Sequence, residues 1–378
     1  MYYSPFYTEY SRESLLPENN LIQKNIVGSK YLNEHKYEFS QNDINIFFER
    51  KVYQEIINSS AFQRLKSIHF LGAIDYLVDP YGIKPNKRHT RYQHSLGVAL
   101  LALQYSRYKQ LSTQDEILCV VSALLHDIGH APLSHSMEPV LKEKFYISHH
   151  AASERIIKGE VEIGEGLHSI LLKWGVNPFV ILEIINGSGD KKFKEAFGLS
   201  INIDTIEAIL RSQTYLYPNY LSATPSLVLQ ALVGKHDDSM RILDTFWNIK
   251  NEIYTRLINS RLGILADYIC KTSMLNNLNM YGEHFYYKTE DDLRQSNPGL
   301  FKILKALTSR DTVQVPPGVS DIPCIQRIFY INEEISIIDS CDINKRYGQN
   351  KKSITLDIRE SDKGEKKMQF DGESLKLF

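Results

Sequence analysis

From Phe48 onward, apolar side chains recur at helical spacing. Phe48, Val52, Ile56 and Ile57 mark one helix, and Phe62, Leu65 and Ile68 extend the pattern until Gly72 interrupts it. Tyr76-Leu77-Val78 reads as a short extended piece ahead of the turn-rich stretch from Pro80 to Lys87. Two segments that are apolar on most sides follow, His94 to Tyr108 and Thr113 to Asp127. Thr90 is the candidate cap of the first; Thr113, with Glu116 three residues on, is that of the second. Helices apolar all round are packed on several sides, so both are expected at the centre of the fold. Further helical patterns run near 149–158, 165–173, 178–186, 203–213, 226–233, 239–259 and 260–278. After about residue 312 the texture changes to alternating, β-branched runs: Ile325 to Ile331, Ile335 to Ile338, Ser353 to Ile358 and Ser374 to Leu377. The fold expected is mainly α, with a polar and aromatic arm over 1–45, a helical core over 46–280 and a C-terminal region over 281–378 that is β-rich after about 312.

Composition narrows the function classes. With 378 residues, 43% hydrophobic and 24% charged, the chain has enough apolar content for one large domain or two. A formal net charge of −1 gives no general attraction to nucleic acid or anionic lipid, and neither is expected as a partner. Cys119, Cys270, Cys324 and Cys341 form no CxxC pair, which fits core thiols in a reducing compartment. The N-terminal MYYSPFYTEY lacks the basic start and apolar run of a signal peptide, and no segment reaches the ~18 apolar residues of a membrane span. A cytoplasmic location is therefore expected. The Lys363 to Lys367 stretch reads as a solvated hairpin turn.

The chemistry concentrates in Leu124-Leu125-His126-Asp127-Ile128-Gly129-His130. A carboxylate at the end of an apolar run costs several kcal/mol if buried alone. A divalent cation offsets that cost and accepts both imidazole nitrogen and carboxylate oxygen. The pair needs partners, and His94 and Asp204 supply a second imidazole and a second carboxylate. Taken singly, His94 reads as a satisfied core residue and Asp204 as a helix cap. Two imidazoles with two carboxylates suit Mn, Fe, Ni, Co, Zn or Mg without selecting one.

Three segments carry a resemblance: Phe62-Gln63-Arg64-Leu65-Lys66-Ser67-Ile68, the run from His89 to Val98 (HTRYQHSLGV), and the run from Leu125 to His135 (LHDIGHAPLSH). They resemble the HD-domain metal-dependent phosphohydrolases, and most of all the deoxynucleoside triphosphate triphosphohydrolase branch, over about residues 50–275. The resemblance implies an HD-domain helical bundle with His94, His126, Asp127 and Asp204 as ligands of a divalent metal ion. It implies phosphate binding by Arg91, His130 and His135, and a place for Leu71 in the substrate pocket. Ser148-His149-His150-Ala151-Ala152-Ser153 resembles the family's His-Glu-x-x-Ser segment, which gives His149 the proton for the departing oxygen and leaves His150 where a Glu is usual. Asp127 would take a proton from the attacking water. In the same reading Arg91 and His130 neutralise charge on the phosphoryl oxygens.

The chain departs from that branch where it reads its nucleotide. Phe70 replaces a Gln and Ser212 an Asp, both of which help read the sugar, while Thr205 replaces a basic residue and Ala208 an aromatic one. Tyr254, Arg256 and Arg261 resemble a helical stretch near the pocket of relatives, but they read equally as exposed positions of an amphipathic helix. The expected substrate is a nucleotide. A nucleotide effector and a homo-oligomer follow from the resemblance alone. Three activities stay open: a (deoxy)nucleoside triphosphate triphosphohydrolase, an HD hydrolase of another nucleotide or phosphoester such as a monophosphate or an oligonucleotide signal, and a non-catalytic nucleotide-binding regulator.

Overall fold

The computed structural model describes residues 39, 41–77, 89–217, 221–307 and 321–357. Among them are seventeen α-helices and one two-stranded antiparallel sheet. The chain opens with α1 (Gln41–Glu49), α2 (Lys51–Asn58) and α3 (Ser60–Arg64), then reaches the central pair α4 (Arg91–Tyr108) and α5 (Thr113–Leu125). Next come α6 (Glu138–Phe145), α7 (His149–Ile157), α8 (Glu162–Lys173), α9 (Pro178–Ile185), α10 (Lys194–Phe197), α11 (Ile203–Leu216) and α12 (Pro225–Leu232). The C-terminal part holds α13 (Ser239–Ile253), α14 (Arg261–Leu275), α15 (Glu290–Ser296), α16 (Pro298–Ala306), β1 (Asp321–Ile331), α17 (Ser340–Arg346) and β2 (Tyr347–Asp357).

Helix α4 is buried from Arg91 to Ser106, so it is enclosed on all sides as its all-round apolar pattern requires. Its start is fixed by a reciprocal capping box, in which the Thr90 side chain accepts from Gln93 N while the Gln93 side chain accepts from Thr90 N. That cap places Arg91 in the first turn and His94 directly after it.

Most of the apolar side chains form one cluster around α4 and α5. A second gathers Leu133, Met137, Val140 and Tyr286 with residues of α14 and α16. The turn after α5 runs between the two, with Ile128 in the first cluster and Ala131, Leu133 and Met137 in the second. Polar residues of that turn are thereby held against apolar packing on both sides.

Several expectations change. The cap of α5 is Ser112, whose side chain accepts from Asp115 N, one residue ahead of the expected Thr113. Of the extended piece expected over Tyr76 to Val78, Leu77 is extended but Tyr76 closes a 3₁₀ turn, Gly72–Tyr76, because Asp75 accepts from Leu71 N at 2.7 Å and from Tyr215 Oη at 2.6 Å and curls the chain. The helix expected over 239–259 closes at Ile253 and continues as a π-turn, Tyr254–Ile258. Ile335 to Ile338 is no strand: the Asp339 capping box starts α17 there, and Arg346 Nη1 takes the Ile335 carbonyl at 2.6 Å. Helix α1 begins at Gln41, inside the stretch read as arm, and buries Ile44, Phe47 and Phe48. Phe39 of the arm is buried; the rest of the arm, Val78, the Pro80 to Lys87 loop, Lys363 to Lys367, Ile358 and Ser374 to Leu377 lie outside the described residues.

The two strands pair from Asp321 opposite Asp357 to Ile331 opposite Tyr347. They lie on α13, where Trp247 Nε1 donates to the Tyr330 carbonyl at 3.0 Å and Asn251 Oδ1 accepts from Phe329 N at 3.1 Å. Arg346 adds a fork to Asp244 on α13, at 2.8 and 2.6 Å. Replacing Arg346 by Ala removes the charged partner of Asp244, which keeps only the Tyr347 hydroxyl, and the donor to the Asn332, Glu333 and Ile335 carbonyls, and urea unfolding should show a loss of about 3 kcal/mol. A change within 0.5 kcal/mol would place the hairpin's stability elsewhere.

Candidate functional site

Helix α4 delivers His94, the end of α5 delivers His126 and Asp127, and the first turn of α11 delivers Asp204. Their side chains meet at one point. His94 Nε2 lies 3.2 Å from His126 Nε2, 3.4 Å from Asp127 Oδ2 and 3.1 Å from Asp204 Oδ1. His126 Nε2 lies 3.5 Å from Asp127 Oδ2 and 3.6 Å from Asp204 Oδ1. A cation bound at about 2.1 Å by each donor separates neighbouring ligand atoms by roughly 3.0 Å in an octahedron and 3.4 Å in a tetrahedron. The observed spacings fall around those values: His94, His126 and Asp127 fit a single divalent ion, and Asp204 Oδ1 lies close to both imidazoles.

The remaining nitrogens set the direction of the rings. A carboxylate or carbonyl only accepts, so His94 donates from Nδ1 to Glu207 Oε2 at 2.5 Å and His126 donates from Nδ1 to the Ala123 carbonyl at 2.8 Å. Both Nε2 atoms are thereby turned toward the shared point. Glu207 is itself held by Arg211, whose Nε donates to Oε1 at 2.9 Å and to Oε2 at 3.1 Å. This carboxylate reaches His94 only because residue 97 is glycine; a Cβ there would stand 2.3 Å from Glu207 Oε1.

Electrostatics point the same way. Burial works to lower the His126 pKa, but the Asp127 and Asp204 carboxylates outweigh it and push it up to about 9. Burial likewise opposes ionisation of Asp127, yet His126, Arg91 and His130 hold its carboxyl well below the usual range. Asp204, half exposed, is also held low by its hydrogen bonds to His126 and His94. The centre thus keeps two carboxylates ionised and draws a proton where a cation would bind.

A second group of imidazoles adjoins the first. One nitrogen from each of His130, His135 and His149 lies within 4.8 Å of the others. The His130 and His149 rings stack at 4.3 Å and 11°. Glu138 on α6 accepts from His149 Nδ1 at 2.5 Å and from His135 Nδ1 at 3.1 Å. It supplies from another helix the carboxylate that His150 removes from the position beside His149. Helix α7 can bring His149 this close because residue 129 is glycine, where a Cβ would lie 2.3 Å from the His149 carbonyl. Burial and Arg91 hold His130 well below its ordinary pKa.

Both groups border a cavity of about 370 Å³, walled by His126, Asp127, Asp204, His135, His149 and Arg91 at one end. Phe70, Leu71, Ile74, Ile209, Tyr254 and Ile258 give it an apolar side. His130 is not on its wall: it is 1% exposed, behind His149 and 3.2 Å from Asp127 Oδ1, out of line for a hydrogen bond. The expectation of direct phosphate contact from His130 therefore changes to a supporting place. Arg91 spends its guanidinium on Asp127 Oδ2 at 2.6 Å, Ser134 Oγ at 3.1 Å and the Phe70 carbonyl at 2.9 Å. Phe70, where relatives of the resemblance carry Gln, packs its ring on His94 with centroids 4.9 Å apart.

Residues 91–174 match the HD domain family. These residues carry an HD domain. The HD segment carries His94, His126 and Asp127, and α11 completes the set from beyond it. An uncharacterized protein of Methanocaldococcus jannaschii is 46% identical over 84 residues, 22% of this chain and 17% of its own length. Uncharacterized protein YwfO of Bacillus subtilis is 26% identical over 193 residues, 50% of this chain and 42% of its own. The deoxynucleoside triphosphate triphosphohydrolase SAMHD1 of Bos taurus is 31% identical over 157 residues, 37% of this chain and 25% of its own. The matched stretch is less than half of each relative. No single helix among the described residues is long and apolar enough to cross a membrane.

Sequence reasoning missed Glu207, Arg211, Glu138 and Lys250. The helical spacing Asp204, Glu207, Arg211 puts the first two on one stripe of α11, and Glu138 stands three residues after His135; both signals were readable. Lys250 carried none, since α13 is far away in the chain. Its ammonium faces the cavity over the Trp247 ring at 4.3 Å, and burial pushes it down to about 8 despite the pull of Asp204.

Two predictions follow from this geometry. Glu207→Gln frees the His94 ring, and Gly97→Ala pushes Glu207 away; each should weaken Mn²⁺ binding by about 10- to 100-fold by calorimetry, whereas Gly166→Ala, in open space, should not. Metal binding must also displace the His126 proton, so affinity should rise with pH by up to about tenfold per unit until about pH 9. In metal-stripped protein the sign reverses. The raised His126 pKa stabilises the fold below its ordinary value near 6.5, and that stability is lost as pH rises through about 9, which thermal melts with and without chelator can follow.

Proposed function

We propose that this HD-domain protein is a metal-dependent phosphohydrolase of nucleotides that cleaves a (deoxy)nucleoside triphosphate into nucleoside and inorganic triphosphate. The observation that carries the reading is the shared cavity wall, with a four-ligand centre on one side and a carboxylate-backed imidazole group on the other. A divalent cation held by His94, His126, Asp127 and Asp204 supplies Lewis-acid polarisation and a lowered pKa for water. Asp127, ionised and directed by Arg91, is placed to accept a proton from an attacking water. His149, with Glu138 fixing its Nδ1–H, presents Nε2 toward the cavity and serves the departing oxygen. His135 is held by the same carboxylate and is largely exposed, so it offers a second donor there. His130 stacks behind His149 and keeps its ring in place.

Charge on the phosphates needs a counterpart that Thr205 cannot give. Lys250 reaches the same cavity from α13 and makes no ion pair among the described residues, which suits it to phosphate oxygens. The apolar side, including Leu71, suits the sugar and base.

One observation favours a second reading, hydrolysis of another nucleotide or phosphoester. Phe70 packs on His94, and Ser212 donates to the Ala208 carbonyl at 2.7 Å, so neither side chain offers the usual polar reading of a sugar. A panel of ribo- and deoxynucleoside triphosphates with Mg, Mn, Co and Ni separates the readings. Triphosphate plus nucleoside is the expected product, and orthophosphate or a monophosphate favours the second reading. The His126→Ala, Asp127→Ala variant should lose bound metal and turnover together. Nucleotide-induced thermal stabilisation of the wild type, with no turnover under any metal, would overturn both in favour of a binding protein. A nucleotide effector and a homo-oligomer belong to the same proposal, and light scattering at micromolar concentration tests the latter.

A further inference from the structure

The turn after the His-Asp pair contains two consecutive non-glycine residues in the left-handed region, Leu133 at φ 58° and Ser134 at φ 46°. Each such residue is strained and persists only where its surroundings over-determine it. The strain here has a visible anchor. Glu290, 2% exposed at the start of α15, accepts from Leu133 N at 3.2 Å and His69 N at 2.8 Å through Oε1. Its Oε2 accepts from His69 Nδ1 at 2.5 Å and from the Tyr76 hydroxyl. Two residues earlier, the Lys288 carbonyl accepts from Arg64 Nη1 at 3.0 Å, and the same guanidinium holds the carbonyls of His130 at 2.9 Å and Ile128 at 2.7 Å.

Both segments that Glu290 joins bear on Arg91. Ser134 Oγ donates to the His69 carbonyl at 2.7 Å and accepts from Arg91 Nε at 3.1 Å. The Phe70 carbonyl, next to His69, accepts from Arg91 Nη2 at 2.9 Å. The third arm of that guanidinium holds Asp127 Oδ2 at 2.6 Å. His135 follows directly on the strained pair.

We propose that Glu290, which lies outside both the matched HD segment and the cavity wall, is a positioning residue. It clamps the 69–70 and 133–134 segments together, so that Arg91 is aimed at Asp127 and His135 at the cavity. Its carboxylate is suited to this because all four neighbours are donors, and a carboxylate only accepts. An amide keeps its oxygen on the two backbone N–H groups if the His69 tautomer and the Tyr76 hydroxyl both turn to accept from its NH₂, so removal of the whole group, Glu290→Ala, is the substitution that breaks the clamp.

The activity arm of the test rests on the phosphohydrolase reading, and a second arm does not. On the full chain, Glu290→Ala should speed hydrogen exchange in 131–136 and 68–71 at least tenfold while exchange in the centre of α4 is unchanged. It should lower kcat by about tenfold to a hundredfold with KM little altered, as expected for misplacement of groups acting at the reacting centre. In an Arg91→Lys background the same substitution should cost at most about threefold, because both act through one guanidinium. Unchanged exchange in 131–136 would overturn the proposal, and so would a loss in kcat that adds fully to that of Arg91→Lys. A wild type that turns over no nucleotide would defeat the phosphohydrolase reading instead, and the exchange comparison would then decide the role of Glu290 by itself.

Discussion

Two imidazole nitrogens and two carboxylate oxygens, brought from three helices to within 3.1–3.6 Å along the measured edges, are what the rest of the molecule is arranged around. Left to themselves, two carboxylates this close to one point repel, and buried imidazoles lose their water. A shared cation removes both penalties at once. Maintaining that convergence demands rigid helices packed on several sides, and the burial of α4 from Arg91 to Ser106 provides it. It also demands that each ring be turned correctly, which falls to Glu207 and to the Ala123 carbonyl. The tight passage of Glu207 past Gly97 shows how little freedom the packing leaves.

The two imidazole groups share a residue type and differ in how they are held. His94 and His126 have their Nδ1 atoms bound and their Nε2 atoms among carboxylates, an environment for a cation. His135 and His149 are bridged by the single carboxylate of Glu138, and His130 is buried behind them with its proton affinity depressed. With Nδ1–H given to Glu138, His135 and His149 donate to an anion through Nε2 only in their protonated form. Asp127 stands between them, with Oδ2 toward the first group and Oδ1 toward His130. Arg91 crosses from one to the other, through Asp127 and the strained turn that carries His135.

What the sequence disclosed follows from how local each signal is. The His-Asp pair stands out because a charge abruptly ends an apolar run, and the capping box at Thr90 is a four-residue pattern. The central helices were legible since their apolar coverage leaves no polar face. Glu207 and Glu138 gave only a spacing signal and Glu290 none, because a carboxylate on a helix reads as solvated until its partner is known. In all three cases the partner is a histidine brought close by tertiary packing. The 3₁₀ turn at 72–76 was hidden for a related reason, since Asp75 is held by Tyr215 from another helix. The run Ile335 to Ile338 has β-branched composition, but the cap at Asp339 and the demand of Arg346 for a carbonyl override propensity.

The claim that one cation centre organises the molecule is tested most directly by anomalous diffraction from crystals grown with Mn²⁺. The account predicts one strong peak about 2.0–2.3 Å from His94 Nε2, His126 Nε2, Asp127 and Asp204 together. A peak bound only by surface carboxylates, or none at this point with Mn²⁺ present in excess, would contradict it.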